Sequence, residues 1–145
     1  VTFDALHTDM PAIHPDEVRQ WIGAVAATSA GLGNIAYIFC NDEQILEVNR
    51  QYLHHDYYTD IITFDYTAGN KISGDLFIST DTVRSNALQL GKQPDEELHR
   101  VVVHGILHLC GINDKGPGER EVMEPPEEAL RLLARMRAEA AANEE

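Results

Sequence analysis

His104 and His108 stand four residues apart in the run His104-Gly105-Ile106-Leu107-His108-Leu109-Cys110-Gly111-Ile112-Asn113-Asp114. On an α-helix that spacing means about 40° of rotation and about 6 Å of rise, so both rings leave one face and two ring nitrogens can share a metal ion. Asp114 follows six residues after the second histidine. It lies past Gly111, which can end a helix in a left-handed turn, and can fold back to supply an oxygen ligand. The fourth position is then left for water. Asn113 and Lys115 are the neighbouring alternatives for polar contact. Glu97, seven residues before His104, falls two turns back on the same face. It can hold an imidazole from behind, or serve with Asp95 and Glu96 as a first-turn partner of the helix dipole.

Gly105 separates two kinds of metal chemistry. In the His-Glu-x-x-His metalloproteases the residue after the first histidine is the general-base glutamate; here that side chain is a hydrogen, which argues against a zinc protease. Glycine inside a helix costs about 1 kcal/mol relative to alanine, so it is expected where the backbone packs closely or a pocket needs room. With no base on the helix, the simplest mechanism has the metal activate water and polarise a phosphoryl oxygen. His7, His14 and His99 have no partner at ligand spacing and read as surface or hydrogen-bonded histidines.

The elements that must carry these groups follow from periodicity and punctuation. Residues 2–6 read as an edge strand. Pro15-Asp16-Glu17 opens a helix with Val18, Trp21, Ile22 and Val25 at helical spacing, and Gly31 and Gly33 are expected to end it. Residues 35–40 read as a buried strand. Asn41 or Asp42 caps a helix running to Tyr52. Residues 60–66 and 72–79 read as an antiparallel hairpin across Gly69-Asn70. Thr80-Asp81 opens a helix that Gly91 closes. Pro94 begins the metal helix, which ends near Gly111. A last helix spans about residues 127–142, with Pro125-Pro126 interrupting any longer one and residues 143–145 forming a frayed acidic tail. These elements make a single α+β domain over residues 1–145, with an α/β-like character: a small mixed four-stranded sheet packed with about five helices.

The segment from His104 to Gly111 resembles the signature of the YbeY family of bacterial endoribonucleases, whose helix reads His-Gly-x-Leu-His-Leu-x-Gly-Tyr-Asp-His. Two upstream stretches are also similar to that family in the correct order: Asn49 to Phe64 (NRQYLHHDYYTDIITF) and Gly74 to Ser79 (GDLFIS). The resemblance implies a metal-dependent endoribonuclease that cuts single-stranded RNA. Its target would be precursor rRNA, especially the end of the small-subunit rRNA, in ribosome biogenesis. His104, His108 and Asp114 would hold one divalent ion, Zn2+ first, with Ni2+ or Mn2+ as alternatives given the carboxylate. His54, His55, Tyr57 and Tyr58 become candidate substrate contacts, since aromatic rings stack unpaired bases and imidazoles donate to phosphate. Ribosomal proteins or a ribosome-associated GTPase would be partners. Two positions depart from the family pattern. The third ligand there is usually histidine, and here it is Asp114. An arginine usually follows the tyrosine of the Asn-x-x-Tyr block, and here Leu53 does; Arg50, three residues earlier, is a substitute if the segment is helical.

Composition bounds the alternatives. A chain of 145 residues with 43% hydrophobic and 24% charged residues is one ordinary globular domain, with no apolar run long enough for a bilayer and no secretion signal, so the cytoplasm is the expected compartment. Cys40 and Cys110 are not in a Cys-x-x-Cys pair and read as reduced core thiols. The net charge of -13 argues against tight nonspecific binding to naked RNA, because such binding leans on basic patches. It leaves room for a protein partner that delivers the substrate. Two further readings stand beside the nuclease: a metallohydrolase of a small ester or amide, and a noncatalytic ribosome-associated module with a structural metal.

Overall fold

The computed structural model describes residues 1–6, 8–11, 13–27, 31–53, 60–111 and 125–143. Along the chain run β1 (Thr2–Ala5), α1 (Pro15–Ala26), β2 (Gly31–Cys40), α2 (Asp42–Leu53), β3 (Ile61–Asp65), β4 (Lys71–Ser79), α3 (Thr80–Leu90), α4 (Pro94–Leu109) and α5 (Pro125–Asn143). The four strands form one mixed sheet in the order β1-β2-β4-β3. β1, β2 and β4 are parallel, and β3 closes one edge antiparallel to β4 with Ile61 opposite Ile78. This is the expected mixed four-stranded sheet with five helices. No helix among the described residues is long and apolar enough to cross a membrane.

Side-chain alternation divides the core between the two faces of the sheet. Ile35, Tyr37 and Phe39 of β2 and Ile72, Leu76 and Ile78 of β4 join Trp21 and Ile22 of α1, Leu133 of α5, and Val102 and Ile106 of α4 in the main cluster. Cys40 and Ile62, with Phe64 and Phe77, point the other way onto Ile45 and Val48 of α2. Two buried polar tips tie the main layer together. The Tyr37 hydroxyl donates to the Val102 carbonyl at 3.0 Å, and the Trp21 indole N–H donates to the Ala129 carbonyl at 2.7 Å. Both satisfy a donor that burial would otherwise strand.

Caps explain the helix boundaries. The Asn41 carboxamide oxygen accepts from Gln44 N at 2.8 Å, and the Ser79 hydroxyl accepts from Thr82 N at 3.2 Å. Gly91, at φ 66°, closes α3 in the left-handed conformation. Asp42 fastens α2 to α3, since its carboxylate accepts from the hydroxyls of both Ser79 and Thr82.

Gly31 and Gly33 do not end α1, which stops at Ala26; both lie inside β2, so the strand is longer than residues 35–40. The register between β2 and β4 shifts between Leu32 and Ile35. A Cβ at Gly33 would sit 2.3 Å from the Ser73 hydroxyl and 2.8 Å from the Ile72 carbonyl. The glycine therefore serves a bulge where two backbones close on each other, not a helix stop. At the other end, Pro125 and Pro126 form the first turn of α5, where proline is tolerated, so that helix starts two residues before the expected 127.

Candidate metal centre

The helix α4 owes its start to Pro94 at the first position and to Asp95, Glu96 and Glu97 in the first turn, where carboxylates meet the positive end of the helix dipole. It presents a broad apolar face, with Leu98, Val101, Val102, Ile106 and Leu109 all buried. Against this face one line of positions stays half-buried: Arg100, His104 and His108. Their four-residue spacing makes a stripe along the flank of the helix.

Gly105, between the two histidines, is the point of closest approach to the sheet. A Cβ there would lie 2.2 Å from Leu76 Cδ2 and 2.9 Å from Ile61 Cδ1. The absent side chain lets the helix backbone settle onto β4 and β3, and so fixes the height of the flanking imidazoles above the sheet. Past the helix, Gly111 takes φ 87° and donates its N–H to the His108 carbonyl at 3.0 Å. That left-handed turn ends the helix three residues after the second histidine.

Glu97 is 0% exposed, and both its oxygens accept from Arg100: Nε to Oε1 at 2.8 Å and Nη2 to Oε2 at 2.8 Å. This two-pronged bond raises the Arg100 pKa above its ordinary value against the opposing effect of burial. Arg100 Nη2 also lies 3.9 Å from the carboxylate of Asp60, the residue that leads into β3. The carboxylate expected to steady an imidazole thus grips a guanidinium one turn before His104. Arg100 is the residue that sequence reasoning missed. Its signal is its place three residues after Glu97 and four before His104, away from the Asn-x-x-Tyr block where the family pattern puts a cation.

The other expected site residues distribute as follows. Arg50 is exposed on the last turn of α2, the helix that packs on the opposite face of the sheet from α4. The backbone of Leu53 closes α2. Asp114, His54, His55, Tyr57 and Tyr58 lie outside the described residues, as do Asn113, Lys115 and His7. His14 is exposed and precedes α1. His99 is hydrogen-bonded, with Nδ1 2.7 Å from the Asp95 carbonyl, and it is buried in the core with its ring tilted against Trp21, not on the surface. Cys40 and Cys110 are free thiols; burial and the charges of Asp42 and Asp81 push Cys40 up to about 12.

The donors present suit a borderline divalent ion: two imidazoles on one half-buried stripe, four residues apart. Among the described residues no cluster of three His, Cys, Asp or Glu forms. A third ligand to an ion on the two imidazoles would come from outside them; Asp114, the expected one, is not among the described residues.

A family model described as Endoribonuclease YbeY matches residues 7–135. A Bacteroides thetaiotaomicron protein named Endoribonuclease YbeY is 66% identical over 128 residues, covering 88% of this chain and 93% of that one. Proteins of the same name are 64% identical in Parabacteroides distasonis, over 92% of this chain and 95% of theirs, and 46% identical in Porphyromonas gingivalis, over 93% and 90%. The solution structure of a Thermotoga maritima protein has the same fold, with a TM-score of 0.68 at 22% identity across 94% of this chain and 93% of that one. With the family model spanning nearly the whole chain and relatives this similar over most of their length, the chain belongs to the YbeY endoribonuclease family.

Proposed function

We propose that this protein is a metal-dependent endoribonuclease that cuts single-stranded RNA and acts in rRNA maturation, at the end of the small-subunit rRNA, during ribosome biogenesis. The observation that carries this reading is the stripe on α4: two imidazoles at ligand spacing flank a glycine where a metalloprotease would place its base. His104 and His108, with Asp114 as third ligand, would hold one divalent ion, zinc first and nickel or manganese as alternatives. Bound there, the ion would supply Lewis-acid activation of water and of a phosphoryl oxygen. Gly105 keeps the imidazoles at a fixed height over Leu76, and the Ile61 side chain of β3 walls the same approach. His54, His55, Tyr57 and Tyr58 precede β3 in sequence and are the groups proposed to stack on and hydrogen-bond the unpaired bases.

The net charge of -13 supports delivery of the RNA by a ribosomal protein or ribosome-associated GTPase, which would place the enzyme with ribosomes in the cytoplasm. The direct test sets a single-stranded RNA, the same sequence as a duplex, and a panel of small esters and amides before the chelated and the metal-reloaded protein. Cleavage of the single strand alone, restored by metal, is the expected result. Turnover of an ester or amide with no RNA cut would replace this reading with that of a small-molecule metallohydrolase.

A further inference from the structure

We propose that Arg100 is a phosphate-contacting residue of this enzyme, gripping the phosphate beside the one that is cut; the inference rests on the nuclease reading above. Arg100, His104 and His108 are the half-buried line on an otherwise buried flank of α4, so a strand laid along the imidazoles passes over the guanidinium. Arg100 is the sole cation of that helix besides its histidines. The guanidinium is also seated. Glu97 fixes it through Nε and Nη2, while Nη1 has no partner among the described residues and 31% of the side chain stays open. A plane held from behind, with one edge of donors turned outward, is what bidentate recognition of a phosphate requires.

The pair is not explained by stability alone. Apolar residues of similar volume commonly replace a buried carboxylate and its arginine at no loss, so a buried ion pair is weak evidence of a stabilising role. Position decides which phosphate is met. Arg100 lies about 6 Å along the helix axis from His104, and its bond to Glu97, three residues back, leans the guanidinium further away from the imidazoles. A guanidinium set back along the helix in this way is placed for the phosphate adjoining one held at an ion on His104 and His108. Asp60, 3.9 Å from Nη2, opposes the phosphate and moderates the grip.

A contact to a neighbouring phosphate holds ground state and transition state alike, so its loss raises KM and spares kcat. The test uses the metal-loaded protein, a single-stranded RNA oligonucleotide and a salt series, with the paired neutral variant Glu97→Gln/Arg100→Gln, which removes the buried Glu97 charge together with its partner. Expected are unchanged metal content, a KM raised about 10-fold, a kcat within about 3-fold, and a slope of log affinity against log salt smaller by about 0.7, one single-strand phosphate contact. Arg100→Lys should raise KM while keeping the slope, and Asp60→Asn should lower KM. A merely structural pair would leave the slope unchanged and Asp60→Asn without effect on KM, and the missing Asp60→Asn effect overturns the inference even if the paired variant does not fold. Wild-type protein that neither binds nor cuts the RNA would overturn the nuclease reading, and this inference with it; wild-type cleavage with an unchanged slope overturns this inference alone.

Discussion

Replacing Gly105 with alanine puts a methyl group into the tightest contact between α4 and the sheet. The new Cβ would stand 2.2 Å from Leu76 Cδ2, where ordinary contact begins at 3.4 Å, so about 1.2 Å of separation must be found; Ile61 Cδ1, at 2.9 Å, blocks a second direction. Leu76 is completely buried in the main cluster and has no open side to turn into. Overpacking of this kind costs about 1–3 kcal/mol, and alanine in a helix returns about 1 kcal/mol over glycine. The expected balance is a loss of about 1 kcal/mol, or a fall in Tm of about 4 °C for a domain of this size. The strain is also relieved by α4 lifting from β4, which carries His104 and His108 with it. A ligand pair displaced by about 1 Å costs up to about 100-fold in activity. Thermal melts, metal content and RNA cleavage on one preparation measure all three effects. Gly23 in α1 is the matched control, because a Cβ there meets only Leu32 Cδ1, at 3.6 Å; Gly23→Ala should gain up to about 1 kcal/mol and leave cleavage untouched. If Gly105→Ala is stabilised as Gly23→Ala is, and cuts RNA at the wild-type rate, the close-packing explanation of Gly105 is wrong.

Three further outcomes are expected. Asp42→Ala strands the hydroxyls of Ser79 and Thr82 at the junction of α2 and α3 and should cost about 1–3 kcal/mol in urea unfolding, with no change in metal content. Glu17 is held below its ordinary pKa of 4.5 by the Arg137 guanidinium, so its contribution to stability is present above 4.5 and disappears as pH falls through the lower folded value. Glu17→Gln should therefore narrow the stability gap to wild type on the acid side and hold it constant near neutrality; a gap that widens on acidification would contradict the sign. Cys40, pushed up to about 12 by burial, should resist alkylation at pH 8 in the native protein and react on unfolding, and quick labelling of the folded chain would show the strand end to be open.

The sheet and helices were legible where one signal dominated. Pro15 and Pro94 marked helix starts, Gly91 marked a stop, and Gly69-Asn70 marked the junction of the antiparallel strands β3 and β4. Gly31 and Gly33 misled, because a glycine in a bulge and a glycine at a helix end look alike until the opposing backbone at Ile72 and Ser73 is known. The half-buried stripe of His104 and His108 was legible from spacing alone, since an i, i+4 pair on a helix shares a face whatever lies beneath. Gly105 admitted two explanations in sequence, close packing or pocket space, and the contact with Leu76 and Ile61 supports the first. Arg100 was hidden for a physical reason: a Glu-Arg pair three residues apart is usually a solvated surface pair, and only burial of Glu97 distinguishes this one.

The most direct test of the metal-nuclease reading is cleavage of a single-stranded RNA by the purified protein, with metal counted on the same sample, in wild type and His108→Ala. One divalent ion per chain with metal-dependent cutting, both lost in the variant, is the expected result. Cutting that survives in His108→Ala, or in protein stripped of metal, would contradict it.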